Sequence, residues 1–408
     1  KARATFLYGG SSLVCQVLRF AGILVSTRLV APDQFGLLAT ALAVTGLAGL
    51  IKEIGQNSAY MSCRSEERGF VSFHFAWSIF GGVAAAAALY ALVTSVPGLD
   101  GLRPVLIWLF LTVIIEAAAQ TPQIISQKRF EFGRVAIVEI TAVATWAVTV
   151  IIGAFVLRNL VALIAARLAE ASVRTALLVY WYHKDLTFAE ITPEVRRYYF
   201  RFARILGPLG WLEYFATNLD VLLLKASVSD NELGVYDRTQ HLMRVPLSLS
   251  VNLVDRVAGS SYSRVQQSVS EMRRSMLQFS ILITAGIVIG LIAVQVFLSF
   301  FAAVTLGQSW RDSVGDLWWW AIPLGVLRPH VWNFNILFMN SGKPLHLLVS
   351  LLGLTACTFL VGLVLVPMLH ARGAYLTQAI AHFFVLSGLL WGFLRRPTDA
   401  RARKASGI

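Results

Sequence analysis

Charged side chains are scarce in this sequence. Asp, Glu, Lys and Arg together make up 14% of it, and apolar residues make up 57%. Soluble globular domains carry roughly 25% charged and about 45–50% apolar residues. A large soluble core would raise the apolar share without removing the charged surface, so the shortage of charge excludes an ordinary soluble domain. Cysteine is sparse too: Cys15, Cys63 and Cys357 show no CxxC or Cys/His metal spacing, and they read as small buried hydrophobes. There is no P-loop, nucleophile–base pairing or metal motif, and the chain reads as a non-enzyme without a cofactor. No signal-peptide cleavage pattern stands out, because the first apolar run is too long and too polar at its centre. Acidic residues number 22 against 35 basic ones, for a net charge of +13. The basic residues lie between apolar runs. They read as topology determinants and contacts to anionic lipid headgroups, with no nucleic-acid partner.

What is abundant is long apolar runs. A helix crossing a bilayer needs about 20 mostly apolar residues. The sequence predicts twelve: Thr5–Thr27, Phe35–Ile51, Val71–Ser95, Pro104–Gln120, Val135–Leu157, Leu160–Tyr182, Phe202–Leu224, Leu233–Val254, Met276–Phe300, Leu317–Phe338, Leu345–Val366 and Ala374–Phe393. With the N-terminus in the cytoplasm, 23 basic residues fall on the inside and 6 on the outside, the rest lying within spans. That asymmetry obeys the positive-inside rule and places both termini in the cytoplasm. The eighth span is polar, with Asp237, Arg238, His241, Arg244 and Pro246. Removing it would invert everything after it, so its charges must face protein or water. The longest outside loop, about Thr305–Asp316, is short, which argues against a membrane glycan polymerase or ligase. Trp318, Trp319 and Trp320 read as an aromatic belt.

Two stretches look like a repeat. Arg28–Gly36 and Lys225–Gly234 each have a basic residue leaving a helix, an acidic turn, and an apolar residue with Gly opening the next. The predicted fold is an all-α membrane protein of about twelve transmembrane helices, in two parallel-repeat six-helix bundles around a central cavity. Residues 1–182 form the N-terminal lobe, 183–201 a cytoplasmic linker, 202–394 the C-terminal lobe, and 395–408 a basic tail.

Ionisable groups at membrane depth cost roughly 2.5–3.5 kcal/mol each, so their placement marks candidate sites. Asp237, His241, Arg244, Ser248, Asn252 and Asp255 share one face of span eight at three- and four-residue steps. Glu213, Thr217 and Asp220 do so in span seven, and Ser12, Gln16 and Arg19 in span one. A hydrated cavity lined by these stripes is weighed against private ion pairs between helices. In span six, Arg167, Glu170 and Arg174 read as a self-neutralising pair plus one Arg. Glu116 in span four and Glu139 in span five fit a cavity lining or burial in protonated form equally well. Pro208, Pro246, Pro323 and Pro329 interrupt spans and would bend them.

Three segments carry a family resemblance: TRLVAPDQFGLLATALA (27–43), TPQIISQKRFEFGRVAIVEI (121–140) and NLDVLLLKASVSDNELGVYDRTQHLMRVPLSL (218–249). In this order they resemble the helix junctions of Wzx-type polysaccharide and O-antigen flippases of the multidrug/oligosaccharidyl-lipid/polysaccharide (MOP) exporter superfamily. The resemblance implies a cavity lined by spans one, two, seven and eight. It implies undecaprenyl-pyrophosphate-linked oligosaccharide as substrate, carried to the outer leaflet of the bacterial inner membrane, possible partners being polymerase or ligase machinery. Arg19, Arg244 and Arg328, with Arg238 off the main stripe, are the candidate pyrophosphate contacts, because guanidinium binds phosphate oxygens bidentately. Gln16, Glu213, Thr217, Asp220, Asp237, His241, Ser248 and Asn252 are the polar cavity candidates. The acids among them could carry a coupling proton or sodium ion, or serve as counter-charges. Other readings are an organic-cation antiporter, which would want an acidic, aromatic cavity without these arginines, and a lipid II flippase, which normally has fourteen spans.

Overall fold

A computed structural model describes residues 2–63, 68–95, 100–186, 188–241, 262, 269–300, 308–340 and 345–394. Regular structure among them is helical throughout. The chain divides into two compact units, Lys1–Tyr214 and Phe215–Ile408.

Unit 1 holds α1 (Ala2–Leu29), α2 (Pro32–Lys52), α3 (Gln56–Ser62), α4 (Arg68–Ser95), α5 (Arg103–Lys128), α6 (Phe132–Leu157), α7 (Leu160–Tyr182) and the first part of α8 (Pro193–Lys225). Local chemistry sets the boundaries. Pro32 opens α2 after an extended Ala31, with Asp33 in the first turn where the helix dipole favours an acid. Asn159 caps α7 by accepting the Val161 amide at 3.0 Å, directly after Arg158 turns the chain in a left-handed conformation. Gly55 takes φ +74 between α2 and α3, a turn that favours glycine. α6 packs on α1 and α7, and α5 on α4 and α7. Small residues let the helices close up: a Cβ on Gly153 would lie 3.0 Å from Ala162 Cβ.

Unit 2 holds the rest of α8, then α9 (230–241), α10 (Val269–Phe300), α11 (Gln308–Asn340) and α12 (Leu345–Leu394). α12 runs for 50 residues. At 1.5 Å per residue that is roughly 75 Å, more than two bilayer cores. It is bent at His370 (φ 54, ψ −129), just after Pro367, so the two spans expected from the sequence are joined without a true loop.

The structure differs from the sequence expectation at several places. α3 occupies a segment read as loop. α5 continues past Gln120 through Pro122 to Lys128. α11 begins at Gln308, so most of the expected Thr305–Asp316 loop is helix. The expected linker 183–201 is helical from Pro193 onward, in one helix with span seven. Trp318 is not part of a belt: it is buried in the core, while Trp319 stays exposed. Pro208, Pro323 and Pro329 lie inside helices as expected. The second half of span eight, with Pro246, and the tail 395–408 lie outside the described residues.

Segments expected on one side of the membrane meet at one end of each unit. In unit 1, Tyr198 donates to the Ala59 carbonyl (3.2 Å) and Tyr199 to that of Phe70 (3.0 Å). Arg129 pairs with Asp185 at 2.8 Å, and Lys128 lies 4.5 Å from the Tyr60 ring centroid. Tyr60, Phe73, Tyr182, Val195 and Tyr199 form a core beneath these contacts. Toward the opposite end, the Leu160 amide donates to Gln34 at 3.2 Å. In unit 2, Glu232 accepts the Ala371 amide (3.0 Å) and Arg372 pairs with Asp316 (2.6 Å), all in segments assigned to one side. Arg273 reaches the Leu394 carbonyl (3.1 Å), both in segments assigned to the other.

Candidate functional site

Six charges meet inside unit 1. Arg167, Glu170 and Arg174 recur at helical spacing along one face of α7. The packing of α1, α5 and α6 brings Arg19, Glu116 and Glu139 to that face. Glu170 is wholly buried, and three guanidinium groups surround it: Arg19 at 2.5 Å, Arg174 at 2.9 Å and Arg167 at 3.4 Å. Arg167 also reaches Glu116 at 3.4 Å, and Arg174 reaches Glu139 at 3.1 Å. Three positive and three negative groups sum to zero, the condition under which charges can be held away from water. The sequence reading left Glu116 and Glu139 open between cavity lining and protonated burial. In the structure both are ion-paired.

Arg19 sits at the accessible edge of this network, with 38% of its side chain exposed. Its guanidinium carbon lies 5.6 Å from the centre of the Trp146 ring on α6, within cation–π range. Gly22, one turn further along α1, leaves room for that indole. Gln16 is half-buried on the same stripe. Arg19 is thus held from one side by a carboxylate and from another by an aromatic face, a geometry that fixes its direction.

The stripe of α8 begins at the end of unit 1, with Glu213, and continues into unit 2. Glu213 is exposed, Thr217 half-buried and Asp220 only 3% exposed. Tyr236 donates its hydroxyl to Asp220, and the Gln240 amide donates to the same oxygen at 3.0 Å. Gln240 also bonds the Tyr236 hydroxyl at 2.7 Å, and Tyr375 on α12 donates to the Tyr236 carbonyl at 3.2 Å. A buried carboxylate is therefore held by neutral donors from α9. Asp237 lies one residue beyond Tyr236, where it pairs with Arg238 at 2.5 Å and lies 3.5 Å from His241. Arg238, placed off the main stripe by spacing, reaches it through Asp237.

The remaining candidates are spread more widely. Arg328 is half-buried on α11 beside Pro329, within electrostatic reach of His382. Arg244, Ser248 and Asn252 lie outside the described residues. No spacing pattern among the charges points to Trp146, Gln240 or Tyr375, and Tyr236 stands out only as part of the 218–249 junction segment. Tyr236 and Gln240 do stand four residues apart in an otherwise apolar register, a signal that the adjacent charges obscured.

The comparisons with known proteins agree with this architecture. A family model described as polysaccharide biosynthesis protein matches residues 25–315, which include all three junction segments. The lipopolysaccharide biosynthesis protein WzxC of Escherichia coli (strain K12) is 23% identical over 316 residues, 74% of this chain and 62% of that protein. The match thus spans less than two thirds of that relative's length. Among solved structures, the lipid II flippase MurJ in an inward closed conformation superposes with TM-score 0.78 at 10% identity, covering 96% of this chain and 88% of that one. An inward-facing multidrug resistance MATE family transporter of the MOP superfamily gives TM-score 0.71 at 15% identity, covering 93% and 94%. At such identities the likeness is one of fold. The chain belongs to the polysaccharide biosynthesis protein family, and it is a multi-pass membrane protein with the fold of MOP-superfamily transporters.

Proposed function

We propose that this protein is a flippase for undecaprenyl-pyrophosphate-linked oligosaccharide repeat units. It moves them from the inner to the outer leaflet of the bacterial inner membrane by alternating access, for surface polysaccharide biosynthesis. Family membership supports the class of pathway. The observation that carries the substrate reading is Arg19: a guanidinium within a membrane-spanning helix, oriented by Glu170 and Trp146, with more than a third of its side chain accessible. That is a suitable contact for a phosphate oxygen. Arg244 and Arg328 are proposed as further contacts, with Arg238 in a lesser part. Asp220, Glu213 and Asp237 are proposed to carry a coupling proton or sodium ion. Both termini are placed in the cytoplasm, on the positive-inside argument.

The test is binding of an undecaprenyl-pyrophosphate oligosaccharide to detergent-purified protein, with undecaprenol and a lipophilic cation as controls. Pyrophosphate-dependent binding that disappears on Arg19→Ala and Arg244→Ala substitution is the expected result. Preferential binding of the cation, lost on Asp220→Asn, would move the protein to the drug-antiporter class.

A further inference from the structure

Arg19, Arg167 and Arg174 all contact Glu170, but they are not equivalent. Arg167 and Arg174 each hold a second carboxylate, Glu116 and Glu139. Among the described residues, Arg19 pairs with Glu170 alone. Arg19 and Arg174 share the Oε1 oxygen of Glu170, and Arg167 takes Oε2. If Arg19 turned away, both oxygens of the buried carboxylate would keep a cationic partner. A carboxylate left with no partner at that depth would be strongly destabilised. The arrangement therefore tolerates the departure of Arg19 and of no other member so readily.

We propose that Glu170 is a positioning residue that aims Arg19 and competes with the substrate phosphate for it. The inference rests on the reading of Arg19 as a phosphate contact. Carboxylate and phosphate are recognised by guanidinium through the same paired N–H donors, so the two anions exclude one another at its inner edge. The six charges are balanced before substrate arrives. An anion added beside Arg19 leaves the cluster net negative, and in a medium of low dielectric constant that excess opposes retention. Glu170 thus limits affinity and promotes release, which a carrier needs as much as capture.

The experiment measures binding of undecaprenyl pyrophosphate to the purified full chain, with inorganic pyrophosphate as competitor, and transport in proteoliposomes. Glu170→Gln keeps the shape and one acceptor but removes the competing charge. Its expected effect is about tenfold tighter binding together with slower transport, the loss of one charge-assisted competitor. A purely structural role would instead lower binding, transport and thermal stability together. A folded Glu170→Gln protein whose binding is unchanged or weaker overturns the proposal. Should that variant not fold, Glu139→Gln is the second test. It releases Arg174 from α6, gives it more fully to Glu170, and so loosens Arg19. Tighter binding by a smaller factor is expected there, and unchanged or weaker binding again overturns the proposal. Arg19→Ala separates the two levels. If it binds like the wild type, the phosphate-contact reading falls and this inference with it. If it loses binding while Glu170→Gln shows no gain, only the inference falls.

Discussion

The Trp146 indole occupies the space where a side chain on Gly22 would stand. A Cβ there would come within 2.6 Å of the ring and 3.0 Å of Val150. Because Arg19 lies against the same ring, the absence of a side chain at Gly22 helps place a charged group three residues away. Gly22→Val is expected to destabilise the protein by roughly 1–3 kcal/mol through overpacking. It should also weaken pyrophosphate-lipid binding, since Arg19 loses its aromatic support. Thermal unfolding in detergent, read beside a binding isotherm, checks both effects.

Asn57, His74, Gln120 and Thr121 form a polar knot between α3, α4 and α5. The His74 ring nitrogens lie 2.8 Å from Thr121 Oγ1 and 3.0 Å from Asn57 Oδ1, and Gln120 donates to the same Asn57 oxygen at 3.1 Å. Asn57→Ala would leave two buried groups without that acceptor, at a cost of about 1–3 kcal/mol for each group left unsatisfied. A thermal stability no lower than that of the wild type would show that the knot contributes nothing.

Tyr199 precedes the predicted membrane-spanning part of α8 and donates to the Phe70 carbonyl. Burial pushes its phenol well above the usual value of 10.0, with smaller contributions from Tyr60, Cys63 and Tyr198. A folded-state pKa raised in this way gives a stabilising contribution that is complete below pH 10 and declines as pH rises beyond it, because only the unfolded chain ionises readily there. Tyr199→Phe should cost about 1 kcal/mol at neutral pH. Its deficit against the wild type should shrink above pH 10. Paired melting curves across that range decide the matter, and a gap independent of pH would contradict the argument.

Asp220 gathers the Tyr236 hydroxyl and the Gln240 amide in the interior of unit 2. Asp220→Ala strands the Tyr236 hydroxyl donor, leaves Gln240 only its bond to that hydroxyl, and is expected to lower stability by about 1–3 kcal/mol. Asp220→Asn keeps an acceptor and should be milder. If Asp220 also carries the coupling ion, the Asn variant should keep substrate binding but lose the stimulation of transport by an imposed ion gradient. Gradient-dependent uptake into proteoliposomes distinguishes this role from a purely structural one.

The proposed topology makes a further prediction. With Cys15, Cys63 and Cys357 replaced, a cysteine at Asp185 should react with a membrane-impermeant thiol reagent only from the cytoplasmic side. One at Asp316 should react only from the outside. The reverse pattern would invert the orientation while leaving the clustering of segments at each end intact.

Much of the helical architecture was legible in the residues themselves. A bilayer imposes one requirement on every span, about 20 apolar residues with internally satisfied backbone groups; α1, α2 and α6 meet it nearly at the expected bounds, and α7 keeps its expected bounds although it carries three charges. Boundaries moved where that rule is silent. The polar segment Gln308–Asp316 forms helix although its hydropathy reads as loop, and the bend at His370 joins two helical stretches that the pattern separates. The buried charges were visible as stripes, because helical spacing alone puts Arg167, Glu170 and Arg174 on one face.

Partnership was another matter. Arg19 and Glu170 are 151 residues apart, and no local pattern links them. Spacing along a helix fixes which side chains share a face, and composition fixes which faces must avoid lipid. Which charge meets which depends on helix packing, through contacts distant in the chain, such as the seat Gly22 leaves for Trp146. The sequence by itself therefore determined a multi-pass, all-helical membrane protein whose apolar runs carry stripes of charge. Only the tertiary structure decided that Arg19 is held by Glu170, and that Asp220 is met by Tyr236 and Gln240.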